Sequence, residues 1–489
     1  MRAAASVERA ERGEGGAVRA PMSRMRSEGA GRLVVVSNRV SLPGEWTTRA
    51  GGLAVAMREA LRRSGGLWFG WNGEVVENPP PAPAVVTRRQ TRFATLALSP
   101  AEHRDYYSGY ANGTLWPLLH YRVGLIDYQK QSLAGYLAVN ERLARALQPL
   151  LRPDDDVWVH DYHLIPFAQA LRRLGVANRL GFFLHTPLPV PEVLMALPGH
   201  DRLVEALSSY DLIGLQTDKD VDALRRYVID EARGSQSDEG SLLAFGRRFR
   251  VAAFPIGIDT AGFAEAAAAA ADAAESQRLR DSLGGRQLII GVDRLDYSKG
   301  LPKRMHAVDE LLTQRPEHRR AVTYLQIAPL SRAELAEYRS MRRELEAAAA
   351  RVNGRHAEFD WAPVRYLNKS FSRATLAGFY RIARVGLVTP LRDGMNLVAK
   401  EYVAAQDPDD PGVLILSRFA GAARELGAAL VVNPFDHDQM TQALHRALTM
   451  TLEERQRRWR EMMAVLRNNN VDHWVARFLA ALRAAPIAA

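Results

Sequence analysis

Short apolar runs, separated by longer stretches of mixed polarity, recur along most of the chain. Continuous runs of this length are typical of strands buried on both faces of a sheet. They are Leu33–Ser37, Val157–His160, Gly181–His185, Leu212–Leu215, Leu288–Val292, Thr323–Ile327, Val385–Pro390, Val413–Leu416 and Leu430–Val432. Helical stretches separate the runs, and this alternation indicates parallel sheets that are covered on both faces.

The strand rhythm restarts after Phe254–Asp259, so the runs fall into two sets. Two sets predict an α/β fold with two Rossmann-like, doubly wound domains, here 31–254 at the N-terminal side and 255–465 at the C-terminal side. Doubly wound domains bind ligands at the carboxyl ends of their strands, and the cleft between two domains is the expected site.

Both ends of the chain differ from this pattern. Residues 1–30 are rich in Arg, Ala, Glu and Gly without apolar periodicity, which predicts a disordered tail, and Met22 and Met25 offer later starts. In 466–489, by contrast, apolar residues recur at helical spacing: Val471, Trp474, Val475, Phe478, Leu479 and Leu482. This spacing predicts an amphipathic helix that packs back across the two domains.

Composition narrows the class of protein. The 489 residues carry a net charge of +10, but 65 basic residues are interspersed with 55 acidic ones and no dense basic block is present. This pattern favours attraction of phosphorylated metabolites over nucleic-acid binding. The chain has 0 cysteines, which fits a reducing, cytoplasmic compartment, and no apolar run approaches the ~20 residues of a membrane span. The histidines and carboxylates of the chain do not form a cluster with the spacing of metal ligands, so a tightly held metal is not expected.

The segment Arg392–Tyr402 carries the most chemical information. It follows an apolar run and opens a helix-compatible stretch, with Asp393 at its mouth and Glu401 about two turns later on the same face. A helix N-terminus favours an anion. Two carboxylates in addition suit a ligand that carries both phosphates and hydroxyls, such as a sugar nucleotide.

Other polar residues also follow strands. Asp161 and His185 stand at equivalent strand ends, which favours a functional role over a structural hydrogen bond. Arg294 and Lys299 bracket one loop, which is either an ordinary surface loop or a clamp for a pyrophosphate, and its place at the cleft favours the clamp.

Five further residues have two interpretations each. Gly51–Gly52 either form a tight turn or let backbone amides approach a ligand. Arg332, in a capping box, is either a surface residue or a phosphate ligand at a helix N-terminus. Tyr107 and Trp116 are either core aromatics or ligand contacts.

Taken together, these stretches resemble glycosyltransferase family 20, the trehalose-6-phosphate synthases, from about Arg32 to about Trp474. The matching motifs are LVVVSNR (33–39), GGLWFGW (65–71), HDYHLIPF (160–167), FLHTPLP (183–189), DRLDYSKGLP (293–302), QIAPLSR (326–332), LRDGMNLVAKEYVAAQ (391–406) and SRFAGAARELGAALVVNPFD (417–436). Residues 1–30 lie outside the resemblance.

The resemblance implies a GT-B fold, in which two Rossmann-like domains face a central cleft. It also implies transfer of glucose from UDP-glucose to glucose 6-phosphate, which gives α,α-trehalose 6-phosphate with retention and without a required metal or other cofactor. Two alternatives remain: a sister synthase such as glucosylglycerol-phosphate synthase, which uses ADP-glucose, and a non-catalytic subunit that senses sugar phosphates. The expected partners are the two small-molecule substrates and further copies of the chain in a dimer or tetramer, with no nucleic acid or membrane.

The resemblance also implies a role for each matching residue. Arg294 and Lys299 contact the donor phosphates, Asp393 the donor glucose hydroxyls, and His185 the donor sugar near the reaction centre. These four form the implied catalytic set. The implied donor site further includes Gly52, Asn396, Leu397, Val398 and Glu401, the last on the ribose, and the implied acceptor site consists of Arg39, Trp71, Tyr107, Trp116, Asp161 and Arg332.

Overall fold

The computed structural model describes residues 31–42, 57, 61, 65–331 and 336–486. Strands in these residues form two sheets. The first contains β1 Leu33–Arg39, β2 Gly66–Val75, β3 Ala84–Arg88, β4 Thr91–Leu98, β5 Asp156–His160, β6 Arg179–Phe183, β7 Leu212–Leu215, β8 Ser235–Gln236, β9 Leu242–Ala244 and β10 Arg247–Ala253. The second contains β11 Gln287–Val292, β12 Val322–Ile327, β13 Val364–Leu367, β14 Val385–Val388, β15 Val413–Ser417 and β16 Leu430–Val432.

The first sheet has the strand order β3-β4-β2-β1-β5-β6-β7-β10-β9-β8. Pairing is parallel from β4 to β10 and antiparallel at both edges. At its centre, Val35 lies opposite both Trp68 and Trp158. Gly70 lies so close to β1 that a Cβ there would meet Ser37 O at 2.0 Å, so only glycine fits.

The second sheet is parallel throughout and has the order β13-β12-β11-β14-β15-β16. Counted from its first strand this is 3-2-1-4-5-6, the order of the Rossmann fold. The predicted fold class, two doubly wound parallel-sheet domains, is therefore confirmed. The boundary at 254/255 falls just after β10 and stays a prediction.

Helices pack against both sheets. The longer ones are α1 Lys130–Leu147, α2 Phe167–Arg173, α3 His200–Leu207, α4 Asp218–Arg226, α5 Thr260–Ala270, α6 Ala274–Leu283, α7 Leu301–Gln314, α8 Ala336–His356, α9 Arg373–Ile382, α10 Leu397–Ala405, α11 His437–Thr449, α12 Leu452–Asn468 and α13 Val471–Ala484. A π-helix, His103–Leu115, runs between the short α-helical segments Pro100–Glu102 and Trp116–Leu119. π-Helical geometry is rare in proteins, and where it occurs it is often close to a functional site.

The last helix, α13, returns from the second sheet to the first. Its Phe478 stacks on Trp158 of β5 with ring centroids 4.3 Å apart and planes 11° apart. Gly181 in β6 and Gly214 in β7 leave room for this ring, because a Cβ at either position would come within 2.8 Å of it. The hydrophobic core around Trp158 is thereby continuous with the core beneath the second sheet.

Several sequence predictions concern residues that the structure does not describe. The tail 1–30, the glycine pair Gly51–Gly52 and Arg332 lie outside the described residues. Among the helices that are described, none is long and apolar enough to cross a membrane.

Candidate active site

Five of the predicted site residues lie at or beyond the carboxyl ends of parallel strands. Arg39 ends β1 and is exposed, Asp161 directly follows β5, and His185 stands two residues after β6. Arg294 comes two residues after β11 and Asp393 lies beyond β14. Carboxyl ends are where doubly wound sheets bind ligands, because the helix N-termini of both halves point there.

The two sets of strand ends face each other. Gly394 lies against the backbone of His185, and a Cβ on Gly394 would come within 2.0 Å of the His185 carbonyl oxygen. The guanidinium carbon of Arg294 lies 5.8 Å from the centre of the Trp116 ring. Contacts of this kind join the predicted donor residues of the second domain to residues of the first.

The loop after β11 is held by a fully buried arginine. Arg304 donates hydrogen bonds to Asp293 Oδ2 at 2.6 Å, to the Lys299 carbonyl oxygen at 3.2 Å and to Thr389 Oγ1 at 3.0 Å. These bonds fix both ends of the loop and tie it to β14. Arg294 projects from this rigid loop and is exposed, so its guanidinium is available to an anion.

Asp393 Oδ2 accepts hydrogen bonds from Lys299 Nζ and from Asn396 Nδ2, the latter at 3.0 Å. The Lys299 and Asp393 side chains are mostly buried, with 11% and 14% of their surface exposed. Burial strengthens the attraction between the two charges, because less water screens it. One cation of the predicted clamp is therefore already bound to the predicted sugar-binding carboxylate.

The helix of this segment begins later than the sequence predicts. It starts at Leu397, and Asn396 caps it with φ of 73° and with its Oδ1 accepting a hydrogen bond from Ala399 N–H at 3.3 Å. A left-handed residue cannot continue a right-handed helix, so Asp393 lies in the preceding turn. The prediction that Asp393 and Glu401 share one helical face is therefore wrong.

The first turn of α10 contributes backbone donors. Leu397 and Val398 are half-buried at its N-terminus, where backbone N–H groups have no partner within the helix. Farther along α10, Glu401 Oε1 lies 3.6 Å from Arg373 Nε. Burial raises the pKa of Glu401, and the Arg373 charge opposes that rise.

His185 belongs to a pair of histidines. Its Nε2 lies 3.1 Å from Nδ1 of buried His160, and its backbone N–H donates to Asp161 Oδ1 at 3.2 Å. Burial lowers the pKa of His185 from 6.5 to about 3, and it lowers the pKa of His160 as well. His185 is therefore a neutral imidazole near pH 7, suited to hydrogen bonding with a sugar hydroxyl and unable to supply a positive charge.

Aromatic side chains line the predicted acceptor region. The Tyr107 ring stacks on His163 with centroids 5.9 Å apart and planes 12° apart, and it lies 5.4 Å from Trp71. Trp71 donates from Nε1 to the Glu74 carbonyl oxygen at 2.7 Å. The guanidinium of Arg39 packs over Gly73, where a Cβ would come within 2.6 Å of it.

His120 is a buried residue that the sequence analysis did not single out. Its ring centroid lies 4.0 Å from that of Trp116, and its Nδ1 lies 2.8 Å from the Trp116 carbonyl oxygen. Burial lowers the pKa of His120 to about 4, against the opposing charges of Asp296 and Asp393 in the second domain. Its proximity to both carboxylates places it at the interface of the two domains.

Arg304 and His120 lacked a usable signal in the sequence. Arg304 lies within α7 at a position where arginine is ordinarily solvent-exposed, and His120 follows a short helical segment without a neighbouring motif. Buried ionisable groups of this kind are identified by their partners in three dimensions, some of which, such as Thr389 for Arg304, are distant in the chain.

Two sets of residues lie apart from the predicted site. A cavity of about 410 Å³ opens between the domains and is lined by Ser108, Asn112, Tyr297 and Tyr338 among others, but by none of those predicted site residues that the structure describes. Within the described residues, Glu317, His318 and His445 bring ligand atoms close enough to hold a metal ion, and they too are separate from that set.

Two Rossmann-like domains whose strand ends face each other, with cations and carboxylates on the intervening loops, are the arrangement of the GT-B fold. The model of glycosyltransferase family 20 matches residues 28–484. The chain belongs to this family.

Relatives of this chain are similar over nearly their full length. A trehalose-6-phosphate synthase of Sinorhizobium fredii is 50% identical over 455 residues, which cover 92% of this chain and 97% of that protein. The crystal structure of an α,α-trehalose-phosphate synthase (UDP-forming) from Burkholderia xenovorans, in complex with glucose-6-phosphate, is 52% identical, with a TM-score of 0.90 and coverage of 93% of this chain and 100% of that one. An E. coli structure bound with UDP-2-fluoro glucose is 47% identical, with a TM-score of 0.88 and coverage of 93% and 99%.

Proposed function

We propose that this protein transfers glucose from UDP-glucose to glucose 6-phosphate and forms α,α-trehalose 6-phosphate, with retention at the anomeric carbon. The observation that carries the proposal is the full-length likeness to solved structures that hold glucose 6-phosphate in one case and UDP-2-fluoro glucose in another. The facing cations and carboxylates of the two domains are chemically suited to these ligands.

Loops of the second domain bind the donor in this proposal. The exposed guanidinium of Arg294 and the ammonium of Lys299 contact the pyrophosphate. Asp393 accepts hydrogen bonds from the donor glucose hydroxyls, and Glu401 accepts them from the ribose. Backbone N–H groups at the start of α10, at Leu397 and Val398, add donors for an anion or a sugar oxygen. Asn396 is assigned to the same site, and so is Gly52, which belongs to the first domain.

Most of the residues assigned to the acceptor lie in the first domain, and one, Arg332, belongs to the second. Arg39 supplies a cation for the phosphate of glucose 6-phosphate, and Arg332 is assigned to the same phosphate. Tyr107 and Trp116 belong to the acceptor-phosphate site as well, while Trp71 and Asp161 are assigned further ligand contacts. Rings of this kind offer a flat apolar surface for the faces of a sugar as well as a polar edge.

The reaction is proposed to proceed on one face of the donor sugar. The bond from the anomeric carbon to the phosphate oxygen breaks while a bond to the acceptor hydroxyl oxygen forms, and the departing phosphate oxygen takes the proton of that hydroxyl. Arg294 and Lys299 stabilise the negative charge that develops on UDP. Orientation and charge stabilisation supply most of the rate enhancement, because no carboxylate is assigned as a nucleophile.

Neutral His185 fits this mechanism as a positioning group for the donor sugar. Its pKa of about 3 keeps it uncharged at neutral pH. An uncharged imidazole does not compete with Arg294 and Lys299 for the pyrophosphate. It also does not disfavour the positive charge that develops on the sugar ring.

A donor–acceptor matrix tests the proposal. UDP-, ADP- and GDP-glucose are each combined with glucose 6-phosphate and glycerol 3-phosphate, and the products are identified by mass. We expect the UDP-glucose and glucose 6-phosphate pair to give the fastest turnover. Faster turnover with ADP-glucose and glycerol 3-phosphate would favour the sister synthase, and no turnover with any pair would favour the sugar-phosphate-sensing subunit.

The proposal includes catalysis without a bound metal, since Arg294, Lys299 and the α10 N-terminus can meet the pyrophosphate charge. Repeating the UDP-glucose reaction in excess EDTA should leave the rate nearly unchanged. Loss of activity that one specific ion restores would contradict this part of the proposal.

The proposal also includes a cytoplasmic location and a homo-oligomer. Both substrates carry phosphate groups and do not cross a membrane unaided, so the enzyme and its substrates have to share a compartment. Light scattering coupled to size-exclusion chromatography measures the mass of the particle against the 54.3 kDa of one chain.

A further inference from the structure

One hydroxyl group joins the loop that carries His185 to the loop that carries Asp393. Tyr121 Oη accepts a hydrogen bond from Val190 N–H at 3.0 Å and another from Arg392 Nη2 at 2.9 Å. Val190 lies five residues after His185, and Arg392 directly precedes Asp393. Because Tyr121 and Val190 belong to the first domain and Arg392 to the second, this bridge crosses the cleft.

Two features make the bridge specific. The guanidinium carbon of Arg392 lies 3.9 Å from the centre of the Tyr121 ring, so the planar cation stacks on the ring as well as bonding to its hydroxyl. Tyr121 itself has φ of 60°, a conformation that non-glycine residues rarely adopt. A strained residue persists where its surroundings hold it, and such residues are concentrated at functional sites.

The loop from His185 to Val190 is anchored through three of its backbone N–H groups. His185 N–H donates to Asp161 Oδ1 at 3.2 Å and Leu188 N–H donates to buried Asp220 Oδ1 at 3.0 Å. Those two anchors lie within the first domain. The third anchor, Tyr121, also accepts a hydrogen bond from Arg392, so it links this loop to the second domain.

Asp393 is flanked on both sides by contacts with the first domain. On one side Arg392 meets Tyr121, and on the other Gly394 lies against the His185 carbonyl oxygen, where a Cβ would come within 2.0 Å. The carboxylate between these contacts has little freedom to move relative to His185 while both contacts are made.

We propose that Tyr121 and Arg392 are positioning residues for glucosyl transfer, which set Asp393 against His185 when the cleft closes. This inference rests on the proposed function of the same site. Neither residue is assigned a contact with the reacting atoms, so each acts through the loop to which it is bonded. A misplacement of about 1 Å can cost about a hundred-fold in rate.

Tyr121→Phe tests the bridge, because it removes the shared hydroxyl and keeps the ring beneath Arg392. We expect kcat to fall by about ten-fold or more. The dissociation constant of UDP, measured by calorimetry, should change by less than about two-fold, because the pyrophosphate clamp lies entirely in the second domain. Tyr128→Phe, at another half-buried tyrosine of the first domain, is the matched control and should keep both constants.

Arg392→Lys provides a second route to the same test, since it keeps the charge and loses the stacked plane. We expect a similar loss of kcat, and the double variant Tyr121→Phe with Arg392→Lys should lose little more than either single variant, because both changes break one bridge. Fully multiplicative losses, or unchanged kcat in both single variants, would overturn the proposal.

Hydrogen exchange gives a readout that does not need turnover. With UDP and glucose 6-phosphate present, Tyr121→Phe should speed amide exchange in both 185–190 and 391–396, whereas Tyr128→Phe should leave both segments unchanged. Faster exchange in 185–190 alone would reduce Tyr121 to an anchor of the first domain and overturn the coupling across the cleft. Absence of turnover in the wild-type protein would contradict the proposed function and would not by itself contradict the bridge.

Discussion

Lys299 and Asp393 lie 94 residues apart in the chain, and their side chains form an ion pair between the loops that follow β11 and β14. Asn396 bonds to the same carboxylate oxygen, so Asp393 is held from two directions. A pyrophosphate that binds Lys299 therefore also acts on the orientation of Asp393. Loss of Lys299 therefore removes a cation from the pyrophosphate and a partner from the Asp393 carboxylate.

Replacement of the clamp cations should nearly abolish turnover. In Lys299→Ala and in Arg294→Ala, kcat should fall by about 10²–10³-fold, because each variant loses a cation that stabilises charge on the departing UDP. Steady-state kinetics with UDP-glucose and glucose 6-phosphate measures the change. Circular dichroism checks that each variant keeps its fold.

Lys303→Ala is the matched control for the clamp. Lys303 lies four residues after Lys299, in α7, where its ammonium packs on the Phe435 ring at 5.1 Å. Near-normal kcat is expected for this variant. A normal kcat in Lys299→Ala, or an equal loss in Lys303→Ala, would remove the basis for the clamp assignment.

The acceptor site gives a separate prediction. Arg39→Ala and Arg332→Ala should raise KM for glucose 6-phosphate by about ten-fold or more while KM for UDP-glucose changes little, because each removes a cation assigned to the acceptor phosphate. Arg88→Ala, on exposed strand β3, serves as the control. Weakened binding of UDP-glucose in calorimetry of the Arg39 and Arg332 variants would move these residues to the donor site.

Strands buried on both faces were predictable, and strands of mixed character were not. Leu33–Arg39 and Gln287–Val292 are almost fully buried, so their apolar runs are continuous. β3 is exposed throughout and has only three apolar residues in a row, and in β2 Gly70 and Gly73 break the apolar run that begins at Leu67. These strands were not predicted from the sequence, and neither were β4, β8, β9, β10 and β13. β8 and β13 are edge strands, β9 has three residues, and β4 and β10 mix polar with apolar residues.

The positions of candidate site residues were predictable where a strand end fixes them. Asp161, His185 and Arg294 stand next to recognised strands, so topology alone places each of them at the carboxyl edge of its own sheet. Contacts that depend on side-chain direction were not predictable, because spacing along the chain carries no information about a pair such as Lys299 and Asp393. The same holds for Arg304, whose partners at Asp293, Thr389 and Lys299 are visible only in three dimensions.

The lowered pKa values of three histidines predict how the stability of the fold depends on pH. The folded protein keeps His185 neutral down to about pH 3, whereas the unfolded chain binds a proton there below 6.5. The unfolded state therefore binds more protons between these values, so the free energy of unfolding falls as the pH falls below 6.5. The expected slope is up to ~1.4 kcal/mol per pH unit for each such histidine, and burial of His120 and His160 acts in the same direction.

Urea unfolding at pH 7.5 and 5.5 measures this dependence. His185→Gln removes one titrating group and should flatten the pH dependence, whereas His473→Gln, at an exposed position of α13, should leave it unchanged. Equal slopes in the wild type and His185→Gln would mean that His185 is not kept neutral by the fold.

The contact between Phe478 and Trp158 predicts that the last helix stabilises the whole protein. Phe478 is fully buried against the first sheet, and Phe478→Ala should lower the free energy of unfolding by ~3–5 kcal/mol through lost burial and the cavity that remains. Phe359→Ala, at a fully exposed ring, should change it by less than ~0.5 kcal/mol. Gly181→Ala should destabilise the wild type, since the new Cβ would lie 2.8 Å from the Phe478 ring, and should cost much less in Phe478→Ala, where that ring is absent. Additive effects of the two changes would show that Gly181 is not required by this contact.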